Sequence, residues 1–210
     1  MISPRGFSDL FTFTRAAAAD FLDEQGLIQS AAANVPRFEY DAMGNFKGLL
    51  LESVDTLNTT DVKWFNEEEG TFFIEADLTS VSGVQRIMLI SDGASGESAG
   101  EILHNGSSFV HNYKHSGGTL HQAFLAGAPT ANVFFKIALS YKGGVDTRST
   151  LDGSAVTVVA ITGTARGMTV FTLGDNPGLP SPMNGHIKEV RYYPRQLTDE
   201  ELIALTAPDV

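Results

Sequence analysis

Few residues of this 210-residue sequence could do chemistry, and they gather in four places. The first is Glu75-x-Asp77. Residues two apart on a strand point the same way, and two carboxyls about 5 Å apart can cleave a glycosidic bond with retention. The pair lies on the polar side of a strand whose other side, Phe72, Ile74, Ala76 and Leu78, is apolar, the usual setting of two solvated acids. The second place is a run of histidines. His104, His111, His115 and His121, four of the five in the chain, fall within eighteen residues. Imidazoles bind transition metals, but these spacings fit no common ligand motif, so surface or interface histidines are expected and no metal is assigned. The third is a set of acidic turns, Asp92-Gly93, Asp152-Gly153 and Asp175-Asn176. Their oxygens suit calcium, yet none forms a continuous ligand run, and Asp-Gly favours a turn without any ion. The fourth is Phe109, His111, Asn112, Tyr113 and His115. Mixed aromatics and amides suit a rim that binds a sugar or a receptor, and this set is the candidate ligand-binding site, although ordinary strand edges carry the same residue types. No Ser/His/Asp order, phosphate loop or nucleotide motif occurs, and no catalytic residue is assigned.

The elements that must position these residues are strands. Val133, Phe135, Ile137, Leu139 and Tyr141 recur at a spacing of two and build one apolar face. A strand with a single apolar face belongs to an antiparallel sheet laid on a core. Residues 71–78 alternate in the same way, and Arg86–Ser91 is apolar on both faces, as a central strand is. Asn105-Gly106 signals a hairpin within residues 97–113. Further short strands are expected at residues 119–125, 155–161, 168–174 and 184–193. Thr198 with Glu201 spells a capping box, so one short helix follows, with Leu197, Leu202 and Leu205 turned toward the sheets. The expected fold is all-β, an antiparallel sandwich of the jelly-roll kind.

Residues 1–57 read differently from 58–210. The runs Ala16–Ala19 and Ala31–Ala33 are too short for stable helices, and Gly26 and Pro36 interrupt the segment. An extended arm with small hairpins is expected, one turning at residues 22–28 and one at Gly44-Asn45. Phe7, Leu10, Phe11, Phe13, Phe21 and Leu22 make the arm apolar, so it should bury on a neighbour or on its own sandwich.

Composition removes several functions. Asp plus Glu number 25 against 14 Lys plus Arg, a net charge of -11 that repels nucleic acid and anionic lipid. There is no Cys, hence no disulfide and no thiol chemistry, which argues against an animal secreted domain. The first residues lack the apolar core of a signal peptide, and no run nears the ~18 apolar residues of a membrane span. The expectation is a soluble product made inside a cell, with release by lysis if it acts outside.

Two resemblances add to this reading. The pieces Phe13-Thr14-Arg15-Ala16, Asp23–Leu27, Ala31-Ala32-Ala33-Asn34-Val35-Pro36-Arg37-Phe38-Glu39-Tyr40-Asp41 and Gly48–Glu52 resemble an N-terminal segment of tailed-bacteriophage virion proteins of the tail-fibre and structural type. One departure is the stretch Ser53–Asn58, where many relatives have Arg-Thr-Asn-Leu. Residues 61–207 resemble the laminin-G-like, concanavalin A-like jelly roll, most specifically in Gly185–Arg195 leading into Leu197–Leu202. Together the resemblances imply a non-enzymatic protein of the virion surface: a head decoration, a short spike or a tail-fibre tip, since no heptad, collagen or other repeat supplies a stalk. They imply virion partners for the arm, a homotrimer, contact with host-surface glycan, and no nucleic acid or membrane insertion. They imply no cofactor, with calcium at a loop rim left open. The alternative is a lectin or depolymerase of the same fold, released by lysis. In glucanases of this fold a third acid accompanies the pair, and its position here is Ser80.

Overall fold

The computed structural model describes residues 8–12, 28–29, 37–40, 42–44, 46–52, 57–60, 62–94, 97–115, 119–125, 127–174 and 181–209. Their strands are β1 (Ser8–Thr12), β2 (Ile28–Gln29), β3 (Arg37–Tyr40), β4 (Phe46–Leu51), β5 (Leu57–Thr59), β6 (Glu69–Ala76), β7 (Gln85–Ser91) and β8 (Ser98–His104). They continue with β9 (Phe109–His115), β10 (Thr119–Phe124), β11 (Phe135–Lys142), β12 (Asp146–Leu151), β13 (Thr157–Ala160), β14 (Val170–Leu173) and β15 (Gly185–Tyr193). One helix, α1 (Asp199–Thr206), closes the described chain. Among the described residues no helix is long and apolar enough to cross a membrane.

Alternation sorts these strands into two antiparallel sheets. The first has eight strands in the order β13-β12-β11-β6-β15-β4-β3, with β1 also paired to β15. The second has seven, in the order β10-β9-β8-β7-β14-β5-β2. Phe135, Ile137, Leu139 and Tyr141 of β11 meet Phe72, Ile74 and Ala76 of β6 in one buried core. Sheet two supplies Met88, Ile90, Ile102, Phe109, Tyr113, Phe171 and Leu173 from the other side. Trp64 and Phe65, just ahead of β6, cap one end of this core against Phe72, Phe171, Tyr141 and Tyr192. The hydroxyl of Tyr141 donates to the Asn66 carbonyl, and that of Tyr192 accepts the Asn66 N–H at 2.8 Å. These two hydroxyls lie against Gly70, where a Cβ would come within 2.5 Å of Tyr141 Oη, so only glycine fits.

The core strands lie where alternation puts them. Leu78 is inward too, and β7 is buried along its whole length in the middle of its sheet. The β8–β9 turn is built by Asn105, whose Oδ1 accepts the Ser107 and Ser108 N–H groups at 3.0 Å, and by Gly106 at φ +94°. Thr198 caps α1: its Oγ1 accepts the Glu201 N–H, and Glu201 in turn accepts the Thr198 N–H at 2.9 Å. The helix packs Leu202 on the outer side of sheet one, with Phe73, Ala138, Tyr193 and Leu197; Leu205 is only partly buried there.

Within residues 1–57 the described strands belong to these same sheets. β1 and β4 pair with β15, and β2 pairs with β5. β3 and β4 form a hairpin with Gly44 at φ +83°, close to the expected turn. Leu49 and Leu51 of β4 lie in the common core, so this part of the segment is built into the sandwich. The alanine runs, the turn at residues 22–27 and most of the Ala31–Asp41 string lie outside the described residues.

Candidate functional site

The carboxylates picked out in the sequence are not solvated. Glu75 is 7% exposed, and its Oε1 accepts from Lys188 Nζ at 2.6 Å. Asp77 is fully buried; its Oδ1 accepts from the backbone N–H of His186 at 2.8 Å and lies 2.7 Å from the His186 ring Nδ1. Because β15 crosses beside β6 with a bulge at Lys188, its polar side chains cover the acids. Neither carboxylate has the open groove that a glycosidase pair needs.

The four histidines do not converge on one site either. His104 Nδ1 accepts the Gly106 N–H at 3.3 Å, and the ring meets Phe109 edge-on, buried so that its pKa is lowered. His111 lies between the sheets with no partner on either ring nitrogen, and burial pushes its pKa down to about 3. His115 pairs with His121. Among the described residues no three His, Asp or Glu side chains group as a metal site. The two described Asp-Gly pairs are turns. Asp92 Oδ1 accepts the Ala94 N–H at 3.0 Å and Asp152 Oδ1 the Lys136 N–H at 2.7 Å. Asp175 and Asn176 lie outside the described residues.

The rim of Phe109, His111, Asn112, Tyr113 and His115 is corrected in the same way. On β9 the odd-numbered residues face inward, and Phe109 and Tyr113 belong to the core. Tyr113 Oη accepts the Ala165 N–H at 2.8 Å. Only Asn112 faces outward. Period-two alternation cannot hold five near-consecutive residues on one face.

The outer face around Asn112 carries the most ligand-like arrangement. Register aligns Gln122 of β10, Asn112 of β9 and Glu101 of β8 in one row. Arg86 of β7 donates through Nε to Glu101 Oε1, and Asn112 Nδ2 donates to Glu101 Oε2 at 2.8 Å. Asn112 is 6% exposed, and its Oδ1 has no hydrogen-bond partner. In the same row, beyond Leu89, Thr172 Oγ1 is likewise buried and unpartnered. An orphaned buried acceptor is costly and rare, which marks a place where a donor is to be supplied. Beside this row the edge strand β10 presents Leu120 and Phe124 half or more exposed, with Gln122 between them. Planar amide, carboxylate and guanidinium groups beside an exposed ring match a ligand with many hydroxyls and an apolar face. Of these residues the sequence singled out only Asn112. The outward alternation Leu120-x-Gln122-x-Phe124 was the readable signal for the β10 side chains.

Comparison with known proteins agrees with the topology. The family described as the Concanavalin A-like lectin/glucanases superfamily matches residues 53–203. The chain belongs to this superfamily. No curated protein matches its sequence. Among solved structures, the CBM40 domain of the Ruminococcus gnavus IT-sialidase superposes with a TM-score of 0.65 at 17% identity, over 76% of this chain and 96% of that one. The same domain bound to α2,3-sialyllactose gives 0.60 at 18% identity, over 68% and 84%. The binding domain of botulinum neurotoxin serotype G gives 0.64 at 11% identity, over 86% of this chain and 46% of that one. At such identities the likeness is one of fold, and function must be argued from the site.

Proposed function

We propose that this superfamily member is a non-enzymatic carbohydrate-binding protein of a tailed-phage virion surface, and that the outer face of sheet two is its sugar-binding surface. The observation that carries the reading is Asn112. Its buried, unpartnered Oδ1 sits beside the Glu101–Arg86 pair and next to the exposed Phe124. Sugar hydroxyls can donate to Oδ1 and accept from the guanidinium, while the C–H face of a pyranose lies on the ring. Structures of similar fold include a CBM40 domain bound to α2,3-sialyllactose and toxin receptor-binding domains, which supports a glycan of a cell surface as the ligand class. The virion assignment rests on the resemblance of residues 10–52 to phage structural proteins; it implies a head decoration, short spike or fibre tip held by the N-terminal segment, and a homotrimer.

The test of binding is a glycan array with the purified chain and its Asn112→Ala variant. The expected result is binding to at least one glycan class, weakened about tenfold or more by the substitution, with the melting curve unchanged in shape. No bound glycan, or full binding by the variant, overturns the proposed surface. Mass spectrometry of purified particles checks the virion assignment separately, and absence of the chain from particles rejects it.

A further inference from the structure

Where the edge strands β10 and β13 of the two sheets meet, the inner face of the β9–β10 pair ends in imidazoles and not in apolar side chains. Thr119 faces His115, and His121 faces Tyr113, so the two histidines occupy diagonal positions on one face. Diagonal neighbours of this kind are within reach of ring side chains. The rings lie 5.2 Å apart at 23°, and their Nε2 atoms are 3.2 Å apart. Thr162, in the loop after β13 of the other sheet, brings its Oγ1 to 3.3 Å from His115 Nε2. The next residue, Gly163, makes room for the ring: a Cβ there would stand 2.5 Å from His115 Nδ1. Both sheets thus contribute to one small polar point, where His115 is nearly buried and His121 is half-buried.

Two imidazole nitrogens that share a tetrahedral zinc ion, each 2.0–2.1 Å from it, stand about 3.3 Å apart. The observed 3.2 Å, here spanned by a hydrogen bond between the two rings, also fits two ligands on one ion. We propose that His115 and His121 bind one divalent ion of the zinc, cobalt or nickel class, with the Thr162 hydroxyl at its rim and water completing the coordination. Imidazole selects this class over calcium and magnesium, which prefer oxygen. The ion would join the edge of sheet two to the loop of sheet one. The other histidines are committed elsewhere: His104 to Gly106, His111 to the core and His186 to Asp77. The site is also separate from the sugar surface, because Asn112 leaves the opposite face of β9.

The experiment uses untagged, chelator-treated chain titrated with Co²⁺ and Zn²⁺, followed by the visible Co²⁺ spectrum and by calorimetry. One ion per chain is expected. Loss of an outer-shell partner alone costs 10–100-fold in metal affinity, so removing a ligand in His121→Gln should weaken binding by at least about tenfold. Zn²⁺ should also raise the melting temperature of the wild type but not of that variant. In the wild type, Zn²⁺ should shift the NMR ring signals of two of the five histidines; this readout stands even if the variant fails to fold. No bound ion, an unaltered affinity in the variant, or shifts in a different set of histidines overturns the proposal.

Discussion

His111 shows what a single unpartnered ring does to the whole chain. Both its nitrogens are buried without a partner, and burial holds its pKa near 3 instead of 6.5. In acid the unfolded chain takes a proton below about pH 6.5, and the folded chain refuses it until about pH 3. The stability that depends on a neutral ring is therefore whole above pH 6.5. It falls by about 1.4 kcal/mol per pH unit as pH drops toward 3. Urea melts at pH 7 and pH 4 should show a loss larger by about 3 kcal/mol in the wild type than in His111→Leu. Equal losses in the two proteins would place the acid sensitivity elsewhere. The letters around His111 hid this role. Written side by side, Phe109, His111, Asn112, Tyr113 and His115 look like one rim, whereas a strand divides them between a core face and an outer face. Asn112 was legible as a polar candidate; its partners Glu101 and Arg86 were not, because they arrive from two other strands through the sheet register.

Helix α1 is the element that the sequence states most completely, since its signals are local. Thr198 and Glu201 are three residues apart and make the box they spell, while the Arg195 guanidinium holds the Glu201 carboxyl down at about 2. Leu202 is fully buried on Phe73, Ala138 and Tyr193. Leu202→Ala should cost about 2–5 kcal/mol, through lost burial and the cavity left behind. Thr198→Ala should cost about 1 kcal/mol, through the lost cap. Denaturant melts of the two variants check the order, and equal losses would mean that the helix is not seated as described. The inner strands were legible for a similar reason: Phe135, Ile137, Leu139 and Tyr141 carry their period within seven residues. The early segment was legible only in part: the β3–β4 hairpin turns where Gly44-Asn45 signals it, whereas the pairing of β1 and β4 with β15 is written in no local pattern.

At the scale of the molecule, the apolar residues left on the outside suggest company. Away from the sugar face, Val133, Val145 and Val158 are each at least half exposed on or beside the strands β11, β12 and β13. The virion reading expects a homotrimer, so light scattering of the purified chain should give three times the chain mass at micromolar concentration. A stable monomer would reject that assembly. A second consequence comes from where β15 sits. It lies between β6 on one side and β4 and β1 on the other, and of the described strands it is the last in chain order. Until residues 185–193 leave the ribosome, sheet one is the fragment β13-β12-β11-β6, the hairpin β3-β4 and β1, with raw edges facing the gap. Sequence-distant pairing of this kind folds slowly. Nascent chains arrested before Gly185 should therefore stay open to protease and draw chaperones, and protection should come in one step once Tyr193 has cleared the exit tunnel. Strand β15 is the keystone, and sheet one closes only once it is in place.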